Sequence, residues 1–282
     1  MERTVFITGT STGIGEAAAL HLDRAGYRVF AGVRKEADGQ RLTDVASQRL
    51  RTLLVDVTDV ASVEAAAKAV AAEVGDAGLG ALVNNAGVAM GGPIEYLDLD
   101  DWRRQLEVNV VGQVAVTKSF LPLIRQGSGR IIFIGSIGGR VAAPFVGPYS
   151  ASKFAVEAIA ESLRQELEPW AIPVTVIEPG AVKTPIWAKG QSQADDIEAA
   201  MPPEARERYG PAVQELRRVL RMQDRMGIPP QRVAEAIARV LTARTPPTRL
   251  LVGRDAKAGA LLVRLAPDRT RDAILRTIRR RA

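Results

Sequence analysis

Short apolar runs alternate with amphipathic stretches along most of the chain. The runs are continuous and do not alternate with polar residues, which is typical of strands buried on both faces of a parallel sheet. They predict seven strands, over Thr4–Thr8, Arg28–Val33, Leu50–Val55, Ala81–Val83, Arg130–Ile134, Pro173–Ile177 and Arg249–Val252. The stretches between them repeat apolar residues with a period of about 3.6 and therefore predict helices.

The order of these elements predicts the fold. Strands and helices alternate, and right-handed crossovers between such units build a doubly wound parallel sheet with helices on both faces. We therefore expect an α/β protein with a single-domain Rossmann fold over residues 1–282 and a seven-stranded parallel sheet. Residues 184–230 interrupt the alternation, since they are rich in proline, glutamine and charge, and they predict a substrate lid inserted after strand six. Residues 255–282 predict a helical tail.

Composition excludes several kinds of chemistry. The chain has no cysteine, so disulfides, thiolate metal sites and cysteine nucleophiles are excluded. Its one histidine, His21, lies in a predicted helix with no serine elbow nearby, which argues against a Ser-His-Asp hydrolase. We expect no metal in the functional site.

Charge and hydropathy bear on partners and location. The formal net charge is +6, but the basic residues are spread among 32 acidic ones, apart from a dense run over Arg276–Arg281. We interpret that run as a solvated tail and expect no nucleic-acid partner. No stretch reaches the ~18 consecutive apolar residues of a membrane span, and the first strand begins close to the N-terminus. We therefore expect no integral membrane segment, no signal peptide and a cytoplasmic location.

A glycine-rich turn follows the first strand directly and leads into the first helix. Its spacing is Gly-x-x-x-Gly-x-Gly, which differs from the more common Gly-x-Gly-x-x-Gly. Glycine lets the backbone turn sharply and approach a pyrophosphate, and the N–H groups of a helix start attract the anion. The residues expected to contact a dinucleotide are Gly9, Thr10, Ser11, Thr12, Gly13, Ile14 and Gly15.

The end of the second strand bears on the choice between NAD and NADP. In an NAD-preferring site an acidic residue usually receives the ribose hydroxyls there. This chain has Arg34 instead, whose planar guanidinium suits a 2′-phosphate. We therefore predict that NADP(H) is the preferred cofactor, with NAD as the alternative. Asp56 and Val57 follow the third strand, where the carboxylate can accept from the adenine amino group.

Three polar side chains supply the candidate chemistry. Tyr149 and Lys153 are four residues apart in a predicted helix and share one face, while Ser136 ends the fifth strand at the edge where ligands bind. A phenol has an ordinary pKa of about 10, and we expect the nearby ammonium to lower it. Tyr149 can then exchange a proton with an alcohol or carbonyl during hydride transfer, and Ser136 can hold the substrate oxygen.

Together these motifs resemble the classical short-chain dehydrogenase/reductase family. The resemblance covers residues 3 to about 186, and the motifs stand in the family's order. It implies that Ser136, Tyr149 and Lys153 are catalytic and that Asn109 completes a proton relay to the lysine through a water. It further implies cofactor contacts from Asn85, Ala86, Gly87, Tyr149, Lys153, Pro179, Gly180, Val182 and Thr184. A homodimer or homotetramer through the helices around residues 99–124 and 149–170 is also implied.

Two segments indicate a branch of the family. Val33-Arg34 resembles the NADP-preferring members, and residues 251–257 are similar to 17β-hydroxysteroid and retinol dehydrogenase-like members. This resemblance implies a small-molecule partner, an alcohol with its ketone or aldehyde, of steroid-, retinoid- or long-chain-like lipophilic character. The residues expected to contact it are Ser136, Val141, Phe145, Tyr149 and Trp187. In the predicted lid, Val213, Leu216, Val219 and Leu220 form a stripe that either closes an apolar cleft or packs on the body or another subunit.

Other functions stay open from the sequence. A catalytically idle NADP sensor or scaffold on the same fold is disfavoured by the intact Ser136, Tyr149 and Lys153. A related enzyme could act on small polar carbonyls, whereas the glycine spacing argues against a nucleotide-sugar epimerase. The tail also shows a short amphipathic pattern, with Ile274 and Leu275 opposite arginines, which is compatible with contact to a membrane surface.

Overall fold

Seven parallel strands form one sheet in the computed structural model, which describes residues 3–186, 192, 195–196, 198–199 and 201–281. The strands are β1 Thr4–Ile7, β2 Arg28–Val33, β3 Leu50–Leu54, β4 Ala81–Asn84, β5 Arg130–Ile134, β6 Val174–Pro179 and β7 Arg249–Val252. Their order is β3-β2-β1-β4-β5-β6-β7, so the direction of winding reverses between β1 and β4. Ligands bind at the carboxyl edge beside such a reversal.

Helices cover both faces of this sheet, which confirms the predicted doubly wound α/β fold. They are α1 Gly13–Arg24, α2 Glu36–Thr43, α3 Val60–Val74, α4 Leu99–Leu106, α5 Gly112–Gln126, α6 Gly147–Glu166, α7 Pro203–Met226, α8 Pro230–Thr242, α9 Arg254–Leu265 and α10 Asp268–Arg281. One apolar cluster packs α3, α5 and α6 on the sheet, and Phe6 of β1 stacks on Phe120 of α5 at 4.2 Å there. A second cluster packs α1 and α8 on the other face.

The strand predictions differ from the structure only at the ends. The largest difference is in β6, which we expected to end at Ile177 and which continues to Pro179. The extension arises because Glu178 and Pro179 pair with Leu251 and Val252 of β7. That pairing carries β6 further toward the ligand-binding edge of the sheet.

The helical stretch expected around residues 99–124 runs from residue 99 to 126 and changes its hydrogen-bond pattern in the middle. A π-helical turn, Glu107–Val111, separates α4 from α5 and contains the buried Asn109. Such turns are rare and occur often at functional sites. Asn109, to which the resemblance assigns a proton relay, therefore lies where the helical geometry changes.

The two ends of the segment between β6 and α8 pair with each other. Val182 forms a parallel bridge with Ile228, whose N–H donates to the carbonyl of Ala181 at 2.9 Å. In α7, which lies between these ends, the side chains of Val213 and Leu220 are buried. The apolar stripe of α7 therefore packs on the same chain.

The C-terminal helices expose part of their apolar surface. Leu261 and Leu265 of α9 are 56% and 71% exposed, and α10 contacts α7. Across the ranges that the structure describes, we find no helix with the length and apolar character needed to cross a bilayer.

Candidate active site

The glycine turn after β1 is packed too closely for side chains. A Cβ atom on Gly9 would lie 2.7 Å from Cα of Ala86, and one on Gly15 would lie 2.2 Å from the carbonyl oxygen of Gly9. Gly9 and Gly13 also have positive φ angles, 67° and 66°, which L-residues with side chains rarely adopt. The turn is therefore a backbone surface that a phosphate can approach directly.

The turn is fixed to its neighbours through the loop after β4. Thr8 Oγ1 accepts hydrogen bonds of 2.9 Å from the N–H groups of Asn85 and Ala86. The Asn85 side chain donates to the carbonyls of Thr8 and Gly9, at 2.8 and 2.9 Å. Thr12, the N-cap of α1, makes no side-chain bond to the helix start, which leaves that end available to an anion.

The predicted adenosine-binding residues lie at the same edge. Asp56 accepts two hydrogen bonds from Thr58, and these, together with the charge of Arg34, hold the pKa of its carboxyl below the usual value. Arg34 is exposed at the end of β2. Val57 is buried after β3, next to Gly112.

Sequence reasoning missed a second arginine beside this turn. Arg41 of α2 donates to Glu16 Oε1 at 2.5 Å and to the carbonyl of Ser11. Arg41 follows Ser11 by 30 residues and lies on a different element, so no local pattern indicates the contact. It adds a cation at the rim of the glycine turn.

Ser136, Tyr149 and Lys153 come together at the end of β5. Gly138 places Ser136 next to Tyr149, since a Cβ atom on Gly138 would lie 3.3 Å from Cε1 of Tyr149 and 3.4 Å from Oγ of Ser136, which accepts from the N–H of Gly138 at 3.0 Å. Lys153 Nζ lies 5.8 Å from the centre of the Tyr149 ring and donates to the carbonyl of Ile134 at 2.7 Å. The arrangement brings a phenol, a hydroxyl and an ammonium together at the same edge of the sheet as the glycine turn.

The direction of the tyrosine shift differs from our expectation. Burial of the phenol raises the pKa of Tyr149, and the nearby hydroxyl of Ser136 offsets only part of the effect. The ammonium of Lys153 bonds to a backbone carbonyl instead of the phenol oxygen, and burial lowers its pKa to about 8. Tyr149 is therefore a neutral phenol near pH 7, the form that donates a proton.

Asn109 is held by three hydrogen bonds of its side chain. Its Oδ1 accepts from the N–H of Val88 at 2.8 Å, and its Nδ2 donates to the carbonyl of Val88 and to Oγ of Ser152, at 2.9 and 3.0 Å. Ser152 in turn donates to the carbonyl of Tyr149 at 2.7 Å. The side chain of Asn109 thus links the loop after β4 to the backbone of α6, and its relay to Lys153 through a water stays a prediction.

A buried network of charged groups lies behind the site, and sequence reasoning missed it. Glu178 is fully buried and pairs with Arg140 at 2.7 Å, which holds the turn after Ser136 to β6. Glu157 follows Lys153 by one helical turn and pairs with Arg249 at 2.9 Å. Burial raises the pKa of Glu157 to about 7. The described residues contain no group of three histidine or acidic side chains placed to hold a metal ion.

The predicted substrate residues are only partly described. Trp187 lies outside the described residues, and Val141 is partly buried in the loop before α6. Phe145 has a φ angle of 67°, a strained conformation for a residue with a side chain, and its carbonyl accepts from the N–H of Gly92 at 2.7 Å. Its ring packs edge-on against Tyr209 of α7, with the ring centres 6.4 Å apart.

The segment expected to contact nicotinamide lies between β6 and the glycine turn. Pro179 ends β6, and the N–H of Gly180 donates to the carbonyl of Val252 at 3.0 Å. Thr184 sits at the glycine turn, because a Cβ atom on Gly13 would lie 3.0 Å from its Cγ2. The segment therefore runs from the sheet edge to the turn.

Comparison with known proteins places the chain in a family. The family model described as short chain dehydrogenase matches residues 3–195. Mouse retinol dehydrogenase 5 is 40% identical over 96% of this chain and 87% of its own length, and the NADPH-dependent 3-dehydrocapnine reductase of Ornithobacterium rhinotracheale is 35% identical over 96% and 95%. A short chain dehydrogenase from Burkholderia cenocepacia, solved with NADP, has 26% identity and a TM-score of 0.75 over 97% of both chains. These matches confirm the resemblance to the family and to its retinol dehydrogenase-like branch. The chain belongs to the short-chain dehydrogenase family.

Proposed function

We propose that this chain is an NADP(H)-dependent oxidoreductase that interconverts a lipophilic alcohol and its ketone or aldehyde. The observation that carries the proposal is the meeting of Ser136, Tyr149 and Lys153 beside a turn whose glycines leave no room for Cβ atoms. A bound nicotinamide cofactor would supply or accept the hydride. Its fit is supported by the open glycine backbone and the uncapped start of α1.

The side chains divide the remaining chemistry. Ser136 holds the substrate oxygen, and Tyr149 donates a proton to that oxygen in reduction or removes one in oxidation. With its pKa raised by burial, Tyr149 is a neutral phenol near pH 7 and carries the proton that reduction requires. Lys153, as an ammonium anchored to Ile134, holds the ribose hydroxyls and favours the phenolate when the proton has left. Asn109 is a positioning residue that acts through Ser152 on the helix of Tyr149.

The preference for NADP rests on Arg34. An arginine stands at the end of β2, and a relative named for NADPH dependence supports the same cofactor here. The test is the dissociation constant for NADPH and NADH of wild type and Arg34→Asp. We expect NADPH binding to weaken at least tenfold, since charge-assisted hydrogen bonds to a phosphate are worth about 1.5–3 kcal/mol. Equal NADPH affinity of the two proteins would contradict the assignment of Arg34 to the 2′-phosphate.

A lipophilic substrate is supported by relatives and by a group of aromatic residues beside the loop before α6. Two curated relatives at 40% and 41% identity are named retinol dehydrogenases. Phe145, Tyr96 and Tyr209 bring aromatic rings together where the excursion after β6 meets the loop before α6. We propose that residues 184–230 form a substrate lid and that Trp187 contributes to it. Turnover of a panel of steroids, retinoids, long-chain and short polar carbonyls tests this, and turnover of small polar compounds alone would favour the alternative.

We further propose that the chain is one domain, residues 1–282, with residues 255–282 as a helical tail. We also propose that it acts in the cytoplasm, as a homodimer or homotetramer. Val111 and Phe154 are 49% and 45% exposed on the two long helical stretches, which supports an interface there. Light scattering of wild type and Phe154→Asp tests the assembly. A monomeric wild type would contradict it.

A further inference from the structure

One carboxylate of the C-terminal region touches the segment after β6. Asp255 is the second residue of α9, and its Oδ2 accepts a hydrogen bond of 2.6 Å from the N–H of Ala181. Ala181 lies between Gly180 and Val182, two residues of the segment proposed to contact nicotinamide. Asp255 follows Ala181 by 74 residues, so the contact joins two distant parts of the chain.

Two glycines make the recess that holds this carboxylate. A Cβ atom on Gly180 would lie 2.1 Å from Oδ2 of Asp255, and one on Gly253 would lie 2.5 Å from Oδ1. A real Cβ atom does not approach an oxygen so closely, so a side chain at either position would expel the carboxylate. Asp255 can therefore occupy this position only because residue 180 is a glycine.

The recess lies between the two halves of the candidate site. The segment that Asp255 holds continues to Thr184, which contacts the glycine turn at Gly13. On its other side, α9 packs on the turn after Ser136, since a Cβ atom on Gly259 would lie 2.8 Å from Cγ1 of Ile137. Helix α9 thus contacts both the segment expected to bind nicotinamide and the turn that follows Ser136.

We propose that Asp255 is a positioning residue for cofactor binding, which acts through the N–H of Ala181. The hydrogen bond from Ala181 to Asp255 fixes the backbone between Pro179 and Thr184 in the conformation that would bind the nicotinamide end of the cofactor. The proposal rests on the proposed function. Because Asp255 is exposed, its replacement costs little free energy of unfolding. The segment between Pro179 and Thr184 then lacks the hydrogen bond that holds it in place.

The first test measures NADPH binding directly, by fluorescence titration, together with the melting temperature. We compare Asp255→Ala, Asp255→Asn, which keeps an acceptor oxygen, and Asp272→Ala, which removes an exposed carboxylate on α10. We expect roughly tenfold weaker binding for Asp255→Ala, near wild-type binding for the other two, and little change in melting temperature. Unchanged binding by Asp255→Ala, or an equal loss in Asp272→Ala, would overturn the proposal.

The second test is a double-mutant cycle between Gly180 and Asp255. We expect Gly180→Ala to weaken NADPH binding strongly in wild type and much less in the Asp255→Ala background, where the recess is empty. Equal losses in the two backgrounds would mean that the cofactor itself requires the glycine, and would overturn the role of Asp255. A wild-type protein that binds no NADPH would instead overturn the proposed function, and with it this inference.

Discussion

The ammonium of Lys153 donates a 2.7 Å hydrogen bond to the carbonyl of Ile134, the last residue of β5. Helix α6 is thereby tied to the carboxyl edge of the sheet, two residues before Ser136. A buried ammonium without such an acceptor would be strongly disfavoured. The bond keeps a charged group 5.8 Å from the centre of the Tyr149 ring.

Replacing Tyr149 by phenylalanine separates an enzyme from an idle sensor. The variant loses only the hydroxyl, so we expect NADPH binding to persist while turnover falls about 10²–10⁴-fold, the usual contribution of a general acid. Tyr27→Phe, at a buried tyrosine in the second apolar cluster, is the control. Unchanged turnover with any carbonyl substrate would exclude Tyr149 as the acid.

The buried Lys153 predicts a dependence of stability on pH. Its pKa falls from 10.5 to about 8 on folding, so between these values the unfolded chain binds a proton that the folded chain has lost. The free energy of unfolding therefore rises as the pH increases from about 8 to 10.5, and the full cost of the buried charge is present below 8.

Urea unfolding at pH 7.5 and pH 10 measures this dependence. We expect the rise in wild type to exceed that in Lys153→Met by about 2–3 kcal/mol, following 1.36 kcal/mol per pKa unit. Lys68→Met, at an exposed lysine of α3, should keep the wild-type rise. Equal slopes for wild type and Lys153→Met would show that Lys153 is hydrated.

Gly15→Ala tests the close packing of the glycine turn. The new methyl group would meet the carbonyl of Gly9 at 2.2 Å, so the turn must shift and α1 must move with it. We expect a loss of at least 2 kcal/mol of unfolding free energy, in the range of overpacked sites, and strongly weakened NADPH binding. Gly210→Ala is the matched control, because nothing lies within 4 Å of its added Cβ. Similar melting temperatures for both variants would contradict the packing.

Tyr209 tests the contact between α7 and the substrate wall. Its ring packs on Phe145 and Tyr96, and its hydroxyl donates to Glu95 at 2.7 Å. We expect Tyr209→Ala to raise KM for a lipophilic substrate about tenfold and to leave NADPH binding unchanged, since the rings are worth about 1.5 kcal/mol beyond burial. Tyr209→Phe keeps the ring and should stay close to wild type. A loss of NADPH affinity in Tyr209→Ala would assign the residue to the fold and not to the substrate.

The strands and the reactive trio could be predicted because their patterns are local. Continuous Val, Ile and Leu runs define buried strands, and a spacing of four on a helix places Tyr149 and Lys153 on one face. The edge on which Ser136 lies then follows from the parallel topology. Prediction was limited at β6, whose end depends on pairing with β7.

The remaining features depend on contacts that no local pattern contains. The π-helical turn at Asn109 forms where that side chain reaches Val88 and Ser152, and its position cannot be read from helical periodicity. The pKa of Tyr149 depends on how deeply the folded chain buries the phenol, and burial raises it. Arg41 and Asp255 act on backbone atoms 30 and 74 residues away.

The bridge between Val182 and Ile228 has a consequence for how this scaffold can change. Because the excursion between them starts and ends at adjacent points, its length hardly affects the closure entropy and leaves the order of the sheet untouched. Segments of other sizes could be grafted between Thr184 and Ile228 while the hydride-transfer edge stays as it is. Substrate range can therefore diverge, by evolution or by design, as an exchangeable module on a constant catalytic base.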